Sequence, residues 1–239
     1  MVEHLQRGSA SLREPGYWWY RARARLLESV LGGYLGDPGL VLDVGSADGP
    51  SVGWMKRVGQ RYALDIHPGG LEAGHGVCGT ATALPFRDRT FDVVAAFDVV
   101  EHCQDEARAV AELHRVLRPG GRLLLSVPAY QWAWSDHDVR AGHYRRYTRR
   151  RIVRAVERSG LRVERSTYAF SAVFPLFVAE RVVRKARERT GRAAPPGLTP
   201  VSPALDRVLT SLSRAEARVL LRRDLPFGSS VLLAAVKPR

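Results

Sequence analysis

Residues 41–51 read VLDVGSADGPS, and this stretch decides the fold of the chain. An apolar segment ends in Asp43, and Gly45 and Gly49 follow before a predicted helix. Glycine allows the backbone to turn sharply and to approach a ligand closely, because it has no Cβ. In open α/β sheets, ligands bind at the carboxyl ends of the strands. The stretch therefore predicts a strand, a tight turn and a helix beside a nucleotide-type ligand.

Two common nucleotide-binding loops do not fit this spacing. The dinucleotide fingerprint G-x-G-x-x-G would place its second and third glycines where Ala47 and Pro50 stand. A P-loop does not fit either, because no G-K-S or G-K-T follows the first glycine. Both classes of site are excluded.

A second acidic residue, Asp65, ends the next predicted strand. A carboxylate in this position can accept hydrogen bonds from both hydroxyls of a ribose. It can also cap the turn that follows, since aspartate favours turns. Taken alone, the residue supports both interpretations equally. Next to Asp43 and the glycine turn, ribose binding is favoured.

Short apolar runs bounded by Gly, Pro or Asp recur along the first half of the chain and predict buried parallel strands. Helical patterns lie between them, near residues 18–35 and at 104–117. Alternating strands and helices predict a three-layer α/β/α sandwich with right-handed crossovers. The four runs are 40–44, 61–66, 91–97 and 121–127.

The pattern changes beyond residue 150. Thr148 is a predicted N-cap for a helix that Gly160 ends, and a strand follows at 161–168. Two further helices and a Pro/Gly-rich connector precede a last buried strand. They predict a helical insertion between the last two strands. The first helix is predicted near 172–190, the connector at 190–203, the last strand at 229–236 and the whole insertion at about 171–228. The second helix is predicted to be amphipathic, with an apolar face of Leu205, Val208, Leu209, Leu212 and Val219.

Length and composition are those of one globular domain. The chain has 239 residues, 45% of them hydrophobic and 26% charged. We predict a helical cap at 1–38 and one domain at 39–239. Cys78 and Cys103 do not form a C-x-x-C pair, which favours a reducing cytoplasm and argues against structural zinc. No apolar signal-peptide core is apparent at the start, and the longest apolar run, 169–179, is shorter than the roughly 20 residues of a membrane span.

The net charge of +13 raises nucleic acid or an anionic membrane as a partner. Only three of the 37 basic residues are lysines, and this skew is typical of a GC-rich genome. Charged faces are most often simply solvated. We therefore do not expect nucleic acid as a partner.

Four motifs in register make the sequence resemble the class I S-adenosylmethionine (SAM)-dependent methyltransferases: VLDVGSADG, ALDIHP, TATALPFRDRTFDVVAAFDVVEH and VLRPGGRLLLSVP. The resemblance covers roughly residues 39–169 and the final strand. It implies a Rossmann-like seven-stranded sheet of order 3-2-1-4-5-7-6 with the last strand antiparallel. It also implies SAM as cofactor, S-adenosylhomocysteine as product, and methyl transfer to oxygen or nitrogen of a small molecule.

The resemblance places the cofactor-binding residues at the ends of successive strands. One group would surround the methionine part of SAM, a second would hold the ribose and the adenine, and a last residue would lie near the sulfonium. In this order they are Asp43, Gly45, Ser46 and Gly49; Asp65, Ile66, Thr80 and Ala81; and Phe97.

Methyl transfer is an in-line displacement, so the enzyme mainly holds the two reactants in place. A general base is needed only when the acceptor must lose a proton. His102, near the end of the fourth strand, is a candidate base. The alternative, which the sequence favours, is that Glu101 and His102 simply open the next helix.

The run SDHDVRAGHYRRYTRRR, 135–151, follows the fifth strand and allows three interpretations. A metal site of His137, Asp138 and His143 lacks a diagnostic ligand spacing, and we predict no metal. A solvated loop is the second interpretation. The third, a wall of the acceptor site, is favoured by the position of the run. It makes His137 and His143 candidate bases, and Arg145 and Arg146 candidate clamps for an anion.

Small bacterial methyltransferases that carry a W-S-x-x-D-x-x-x-G-H-x-R-R-Y-T stretch are similar to this run. An aromatic group at 17–20 is also similar to theirs, although aromatic pairs on a helix are more often core. The predicted substrate-binding residues are Trp18, Trp19, Trp134, Asp138, Arg145, Arg146 and Tyr147.

The sequence contains few features that identify the acceptor. The apolar segment 172–183 can line a lipophilic pocket or contact a membrane surface through Phe174, Leu176, Phe177 and Arg181. An amphiphilic or anionic small molecule fits both this segment and the arginines. The alternatives are an RNA or protein methyltransferase, and a non-catalytic SAM-binding protein. We predict a monomer or homodimer in the cytoplasm, with peripheral contact to the inner membrane face as a variant.

Overall fold

The computed structural model describes residues 16–46, 52–55, 59–69, 71, 74–190 and 201–239, except the side chains of 188 and 189. The predicted cofactor residue Gly49 and most of the predicted connector lie outside these residues. So does the first part of the predicted helical cap.

Seven strands form one sheet of order β3-β2-β1-β4-β5-β7-β6, which confirms the predicted fold class. Strands β1 to β5 pair in parallel, and β7 is antiparallel to both of its neighbours, β5 and β6. The carboxyl ends of β1, β2, β4 and β5 therefore meet at one edge. The strands are β1 Leu40–Val44, β2 Gln60–Asp65, β3 Gly76–Cys78, β4 Phe91–Phe97, β5 Leu117–Pro128, β6 Arg162–Ala169 and β7 Ser230–Val236.

With one exception, the helices lie where the sequence patterns predict them, within a few residues; the short helix at 136–141 was not predicted. They are α1 Trp18–Leu31, α2 Glu106–Val116, α3 Asp136–Ala141, α4 Arg149–Arg158, α5 Phe174–Arg189 and α6 Pro203–Leu220. Thr148 caps α4 as predicted, since its side chain accepts a hydrogen bond from the amide of Arg151. Short 3-10 turns at Val100–His102 and Gln131–Ala133 follow β4 and β5 at the carboxyl edge.

Each face of the sheet carries its own core, because successive side chains of a strand point to opposite faces. Leu42 of β1 and Val94 of β4 pack toward α2 and α4 on one face. Val41 and Val93 pack on the other face, in a core that includes Leu26 of α1 and Leu209 of α6. The amino-terminal helix is thus part of the second core.

The insertion helix α6 is oriented differently from the prediction. Of its predicted apolar face, only Leu209 is buried. The face that packs inward includes Ser213, Glu216 and Ala217, because Glu216 turns inward to accept hydrogen bonds from the amides of Ser171 and Ala172 at 3.1 and 2.8 Å. The remaining predicted core residues of this helix are 39–54% exposed: Leu205, Val208, Leu212 and Val219.

Within the described ranges, no helix is both long enough and apolar enough to cross a membrane.

Candidate active site

The run 135–151 folds into α3, a short extended segment and the start of α4. Ser135 and Asp138 form a capping box at the start of α3, each side chain bonding the backbone of the other. Gly142 ends this helix with φ 75°, a left-handed conformation that glycine adopts readily. The turn places His143 next to the carboxyl edge of β4, where the amide of Tyr144 donates to the carbonyl of Glu101 at 2.8 Å.

Asp138 is the centre of a buried hydrogen-bond network. Its side chain is 0% exposed. Oδ1 bonds to Nδ1 of His143 at 2.8 Å and accepts from Nε of Arg146 at 2.7 Å, and Oδ2 accepts from the amide of Ser135 at 3.0 Å. Burial alone would raise the pKa of Asp138, but the hydrogen bond with His143 and the charge of Arg146 hold that pKa well below its usual range. Asp138 therefore orients two neighbours and does not lie open to a substrate.

Two histidines from distant parts of the sequence meet at this point. The rings of His102 and His143 lie 4.6 Å apart, centroid to centroid, nearly perpendicular to each other. Because Asp138 occupies Nδ1 of His143, the Nε2 atom of that ring is available to other groups. Although part of His102 is exposed, desolvation by the surrounding protein and the neighbouring His143 lower its pKa to about 4. The structure thus brings together two of the three predicted catalytic histidines.

The third, His137, lies on α3 as an exposed side chain. It does not belong to the group of ligand-type atoms that Glu101, His102 and His143 form within 4.8 Å of one another. The predicted role of His137 as a base has no geometric support from this cluster.

Glu101 was predicted only to open a helix, and the structure gives it a different environment. It lies in the 3-10 turn after β4 and is 0% exposed. Among the residues that the structure describes, neither carboxylate oxygen has a hydrogen-bond partner. Burial, followed by the charge of Asp98, raises the pKa of Glu101 well above its usual value. A charged residue type gives no sign of such burial in the sequence.

The two arginines predicted as anion clamps both donate to backbone carbonyls of the chain. Arg145 donates to the backbone carbonyls of Cys103 at 2.8 Å and Gln104 at 2.7 Å. Arg146 is buried and donates to Asp138 and to the carbonyl of Ala129. Because Arg146 is buried, it cannot hold an acceptor anion, which corrects the prediction for that residue. Arg145 is half-buried and uses two of its five N–H groups in these bonds, so its role as a clamp stays a prediction.

Tyr147 is also buried, at 0% exposure, in the core under β5. Its amide donates to the carbonyl of Pro128 at 2.9 Å, and its carbonyl accepts from the amide of Tyr130 at 2.7 Å. Since it has no surface, it cannot contact an acceptor, and its predicted role as a substrate-binding residue is wrong.

The predicted substrate-binding aromatic residues of α1 pack against the rest of the chain. Trp19 stacks on Phe170 at 5.8 Å, and the guanidinium of Arg23 lies 5.7 Å from its ring. Trp18 is half-buried against the same core, and Trp134 is half-buried after the 3-10 turn that follows β5. For Trp18 and Trp19, the core interpretation weighed in the sequence analysis fits the structure better.

The turn after β1 requires glycine. Gly45 has φ 74°, and a Cβ there would lie 2.5 Å from Cγ2 of Val99. Beside it, the buried Asp43 pairs with Arg61 of β2 at 2.8 Å, and the same guanidinium donates to Oγ of Ser46 at 2.6 Å. Arg61 was not predicted. Its role depends on the pairing of β1 with β2, which no local pattern reveals.

Asp65 lies at the carboxyl end of β2 and is buried. Its Oδ1 accepts from the amide of His67 at 2.9 Å, so it caps the following turn as one interpretation predicted. The apolar side chain of Ile66 next to it is 62% exposed. After β3, Thr80 is exposed and Ala81 is buried. Asp65, Ile66 and the Gly45 turn lie at adjacent strand ends, as a common cofactor site requires.

Phe97, predicted to lie near the sulfonium, is buried in the core on the α1 side. Its ring lies 6.2 Å from that of Trp54. It is therefore a packing residue, and we do not retain it among the cofactor contacts.

An aromatic cluster lies beyond Asp138, between the end of β5 and α5. Tyr130 stacks on Tyr168 at 5.3 Å, and Phe174 stacks on Phe177 at 5.9 Å. The guanidinium of Arg146 lies 6.0 Å from the ring of Phe177 and so joins the cluster to the polar network. The members of the cluster are Tyr130, Trp132, Tyr168, Phe174, Phe177 and Phe227.

The position of α5 changes the predicted membrane contact. Arg181 is buried, and it donates to Oγ of Ser135 at 2.5 Å. Its charge therefore cannot reach a lipid headgroup, which removes it from the surface predicted for 172–183. Leu176 remains exposed, and Phe174 and Phe177 are half-buried within the aromatic cluster.

Comparisons with known proteins agree with the fold and with the resemblance. Residues 42–125 match the family model described as a methyltransferase domain. An uncharacterized methyltransferase of Mycolicibacterium gilvum is 31% identical over an alignment of 165 positions that covers 57% of this chain and 65% of the relative. A malonyl-[acyl-carrier protein] O-methyltransferase of Serratia marcescens is 37% identical over an alignment of 111 positions that covers 43% of this chain and 44% of the relative. The chain thus spans less than two thirds of the length of these relatives.

Two solved structures share the fold at low sequence identity. One is a Burkholderia thailandensis 1,6-didemethyltoxoflavin-N1-methyltransferase with bound 1,6-didemethyltoxoflavin and S-adenosylhomocysteine, with a TM-score of 0.56 and 17% identity over 96% of this chain and 84% of that chain. The other is the Haemonchus contortus phosphoethanolamine N-methyltransferase 2 in complex with SAM, with a TM-score of 0.55 and 18% identity over 89% of this chain and 52% of that chain. At these identities the likeness concerns the fold alone.

Proposed function

We propose that this chain is a SAM-dependent methyltransferase that acts on a small-molecule acceptor. The observation that carries the proposal is the pairing of the Gly45 turn with buried Asp65 at adjacent strand ends. Both belong to the segment that matches the methyltransferase domain, in a sheet with the expected strand order.

The residues at this edge fit the parts of SAM. When bound, SAM supplies an electrophilic methyl group on a sulfonium. The positive φ of Gly45 lets the backbone turn without a side chain in the cradle. Asp65 offers carboxylate oxygens to ribose hydroxyls, and exposed Ile66 offers an apolar surface to the adenine. We assign Asp43, Ser46, Thr80, Ala81 and Gly49 to the same site, the last from the sequence only.

The polar group on the acceptor side is the pair of His102 and His143. His102 ends the 3-10 turn that comes after β4, and His143 is held by Asp138 in one orientation. A hydroxyl or amine acceptor must lose a proton around methyl transfer, and a pair of imidazoles suits that requirement.

The surroundings favour an uncharged, aromatic or apolar acceptor over an anionic one. Arg145 and Arg146 are occupied by protein oxygens. The aromatic cluster adjoins Arg146 and leaves Trp132 and Phe227 partly exposed. Pockets for small molecules are mostly apolar and aromatic with a few placed polar groups. A ring compound that carries a hydroxyl or an amine fits this combination.

Calorimetric titration with SAM tests the cofactor site. We expect the wild-type chain to bind SAM and Asp65→Ala to raise the Kd at least about tenfold, because a hydrogen bond to a charged group contributes about 1.5–3 kcal/mol. Asp37→Ala, an exposed aspartate before β1, is the matched control and should bind like wild type. Absence of SAM binding by the wild-type chain would overturn the proposal.

Incubation of the chain with methyl-labelled SAM and cell extract, followed by fractionation of the products, identifies the acceptor. Label in the small-molecule fraction supports the proposed acceptor class. Label in the RNA or protein fraction would replace it with one of the alternatives.

A further inference from the structure

We infer that Glu101, His102 and His143 bind one divalent transition-metal ion, of the Zn²⁺ or Co²⁺ type. This departs from the expectation of a metal-free site and from the ligand set that the sequence offered. His143 is common to both sets, but Glu101 and His102 replace His137 and Asp138.

The three side chains already converge. One ligand-type atom of each lies within 4.8 Å of the corresponding atom of the other two. Bonds of about 2.0–2.2 Å in tetrahedral geometry would place neighbouring ligand atoms about 3.5 Å apart. Small side-chain rotations would close this difference, and the exposed position of His102 leaves room for its ring to rotate.

Buried Glu101 is the second, independent observation. Both of its oxygens lack a hydrogen-bond partner in the described part of the chain, and the side chain has no contact with solvent. A buried carboxylate is normally paired with a charge or coordinated to a metal, since burial without a partner is costly. A cation between Glu101 and the two imidazoles would supply the missing partner.

His143 also carries the outer contact that is typical of a metal ligand. Metal-bound imidazole usually donates its other N–H to a carboxylate or a backbone carbonyl. Asp138 bonds to Nδ1 of His143 at 2.8 Å and leaves Nε2 for the ion. The backbone of Ala141 and Gly142 lies beside the ring of His102 and acts to raise the pKa of that ring. The bond with Asp138 fixes the ring of His143 before any ion arrives.

The ligand types select the class of ion. Two imidazoles and one carboxylate suit zinc, cobalt and similar borderline ions, whereas magnesium and calcium prefer oxygen ligands. Three protein ligands leave at least one coordination position open, as catalytic metal sites do.

The open coordination position of the metal would bind the acceptor. This assignment rests on the proposed function. An acceptor hydroxyl bound there would ionise more readily and release its proton to solvent, because a bound cation lowers the pKa of a coordinated oxygen acid. The anionic oxygen would then attack the methyl carbon of SAM, so that the new O–C bond would form as the S–C bond breaks and S-adenosylhomocysteine would leave with the electron pair. The inference therefore narrows the acceptor to a molecule with a phenol- or enol-type hydroxyl.

Titration of the untagged, full-length chain with Co²⁺ alone tests the site, with visible absorption as the readout. We expect one equivalent of Co²⁺ to bind and to give ligand-field bands, and Mg²⁺ at equal concentration not to displace it. Glu101→Gln and His143→Gln should remove the bands, and Asp138→Asn should weaken binding by about 10–100-fold. His137→Gln, the neighbouring histidine outside the cluster, should retain the full stoichiometry.

Thermal unfolding of each variant separates a lost ligand from a lost fold. Glu101→Gln preserves the shape of the side chain, so it should melt no lower than the metal-free wild type. Absence of bands in the wild-type chain, or bands that persist in both Glu101→Gln and His143→Gln, would overturn the inference. SAM calorimetry without metal is a separate measurement, so a failed cofactor site and a failed metal site give different results.

Discussion

Nε of Arg23 donates to the carboxylate of Asp98 at 3.0 Å and so ties the amino-terminal helix α1 to the carboxyl end of β4. The guanidinium also donates to the carbonyl of Phe97, and the Oγ of Ser126 donates to the other oxygen of Asp98 at 3.0 Å. Asp98 holds a φ of 58°, an uncommon conformation for a residue other than glycine. Because Glu101 and His102 follow within four residues, this contact sets the backbone that carries the proposed site.

Arg23→Met should therefore lower the free energy of unfolding by about 1–3 kcal/mol. A fully buried pair that loses one partner costs about 3–5 kcal/mol, and Asp98 is partly exposed, which reduces the effect. Urea unfolding measures the loss. Arg21→Met on the same helix is the control, since its exposed pair with Asp206 should contribute less than about 1 kcal/mol. Equal losses in the two variants would contradict the importance of the buried pair.

Gly45→Ala should destabilise the chain and weaken SAM binding together. The left-handed conformation costs a non-glycine residue about 1–2 kcal/mol, and the new Cβ would in addition meet Cγ2 of Val99 at 2.5 Å. The double variant Gly45→Ala, Val99→Ala should regain the unfolding free energy that the steric contact removes. It should keep the loss that comes from the left-handed conformation. Gly33→Ala, with no atom within 4 Å of its Cβ, is the control. Unfolding curves and SAM calorimetry check both effects, and a wild-type-like Gly45→Ala would refute the argument.

Local pattern predicted the elements whose apolar residues are consecutive or regularly spaced. Strands β1 and β4 begin and end at the predicted residues, since continuous apolar runs bounded by glycine or aspartate define them. Strand β3 has only three residues, and its pattern is too short to read. It was expected only because the resemblance implies seven strands.

Long-range pairing could not be predicted in the same way. His102 and His143 are far apart in the sequence, and only the positions of β4 and α3 bring them together. Arg145 and Arg146 have the composition of an anion clamp, but the turn after β4 and the buried Asp138 use their donors. Which acceptor an arginine finds depends on tertiary structure, so no local pattern distinguishes an anion-binding arginine from a structural one.

Arg145→Met tests that distinction directly. The guanidinium donates to the carbonyls of Cys103 and Gln104, which end the turn that carries His102. We expect a loss of about 1–3 kcal/mol in unfolding free energy, the range for hydrogen bonds to a charged group. SAM affinity should be unchanged. If Arg145→Met left stability intact and instead abolished the methylation of an anionic acceptor, the original clamp prediction would be confirmed.

Acid stability should depend on Asp136, which joins α3 to α5. Burial acts to raise the pKa of its carboxyl, but hydrogen bonds from Arg184 and Arg140 outweigh it and lower that pKa to about 2. Because the folded-state pKa lies below the unfolded value of about 3.9, the contribution of Asp136 to stability is fully present above about pH 4. It is lost as the pH falls from there toward about 2.

Asp136→Asn should therefore lower the unfolding free energy near neutral pH and show a smaller further loss than wild type between about pH 4 and pH 2. Urea unfolding at several pH values measures how the unfolding free energy of wild type and of Asp136→Asn depends on pH. Asp37→Asn, an exposed aspartate, is the control and should follow the wild-type curve. Parallel curves for wild type and Asp136→Asn across this interval would show that the contacts with Arg140 and Arg184 do not stabilise the ionised carboxylate in solution.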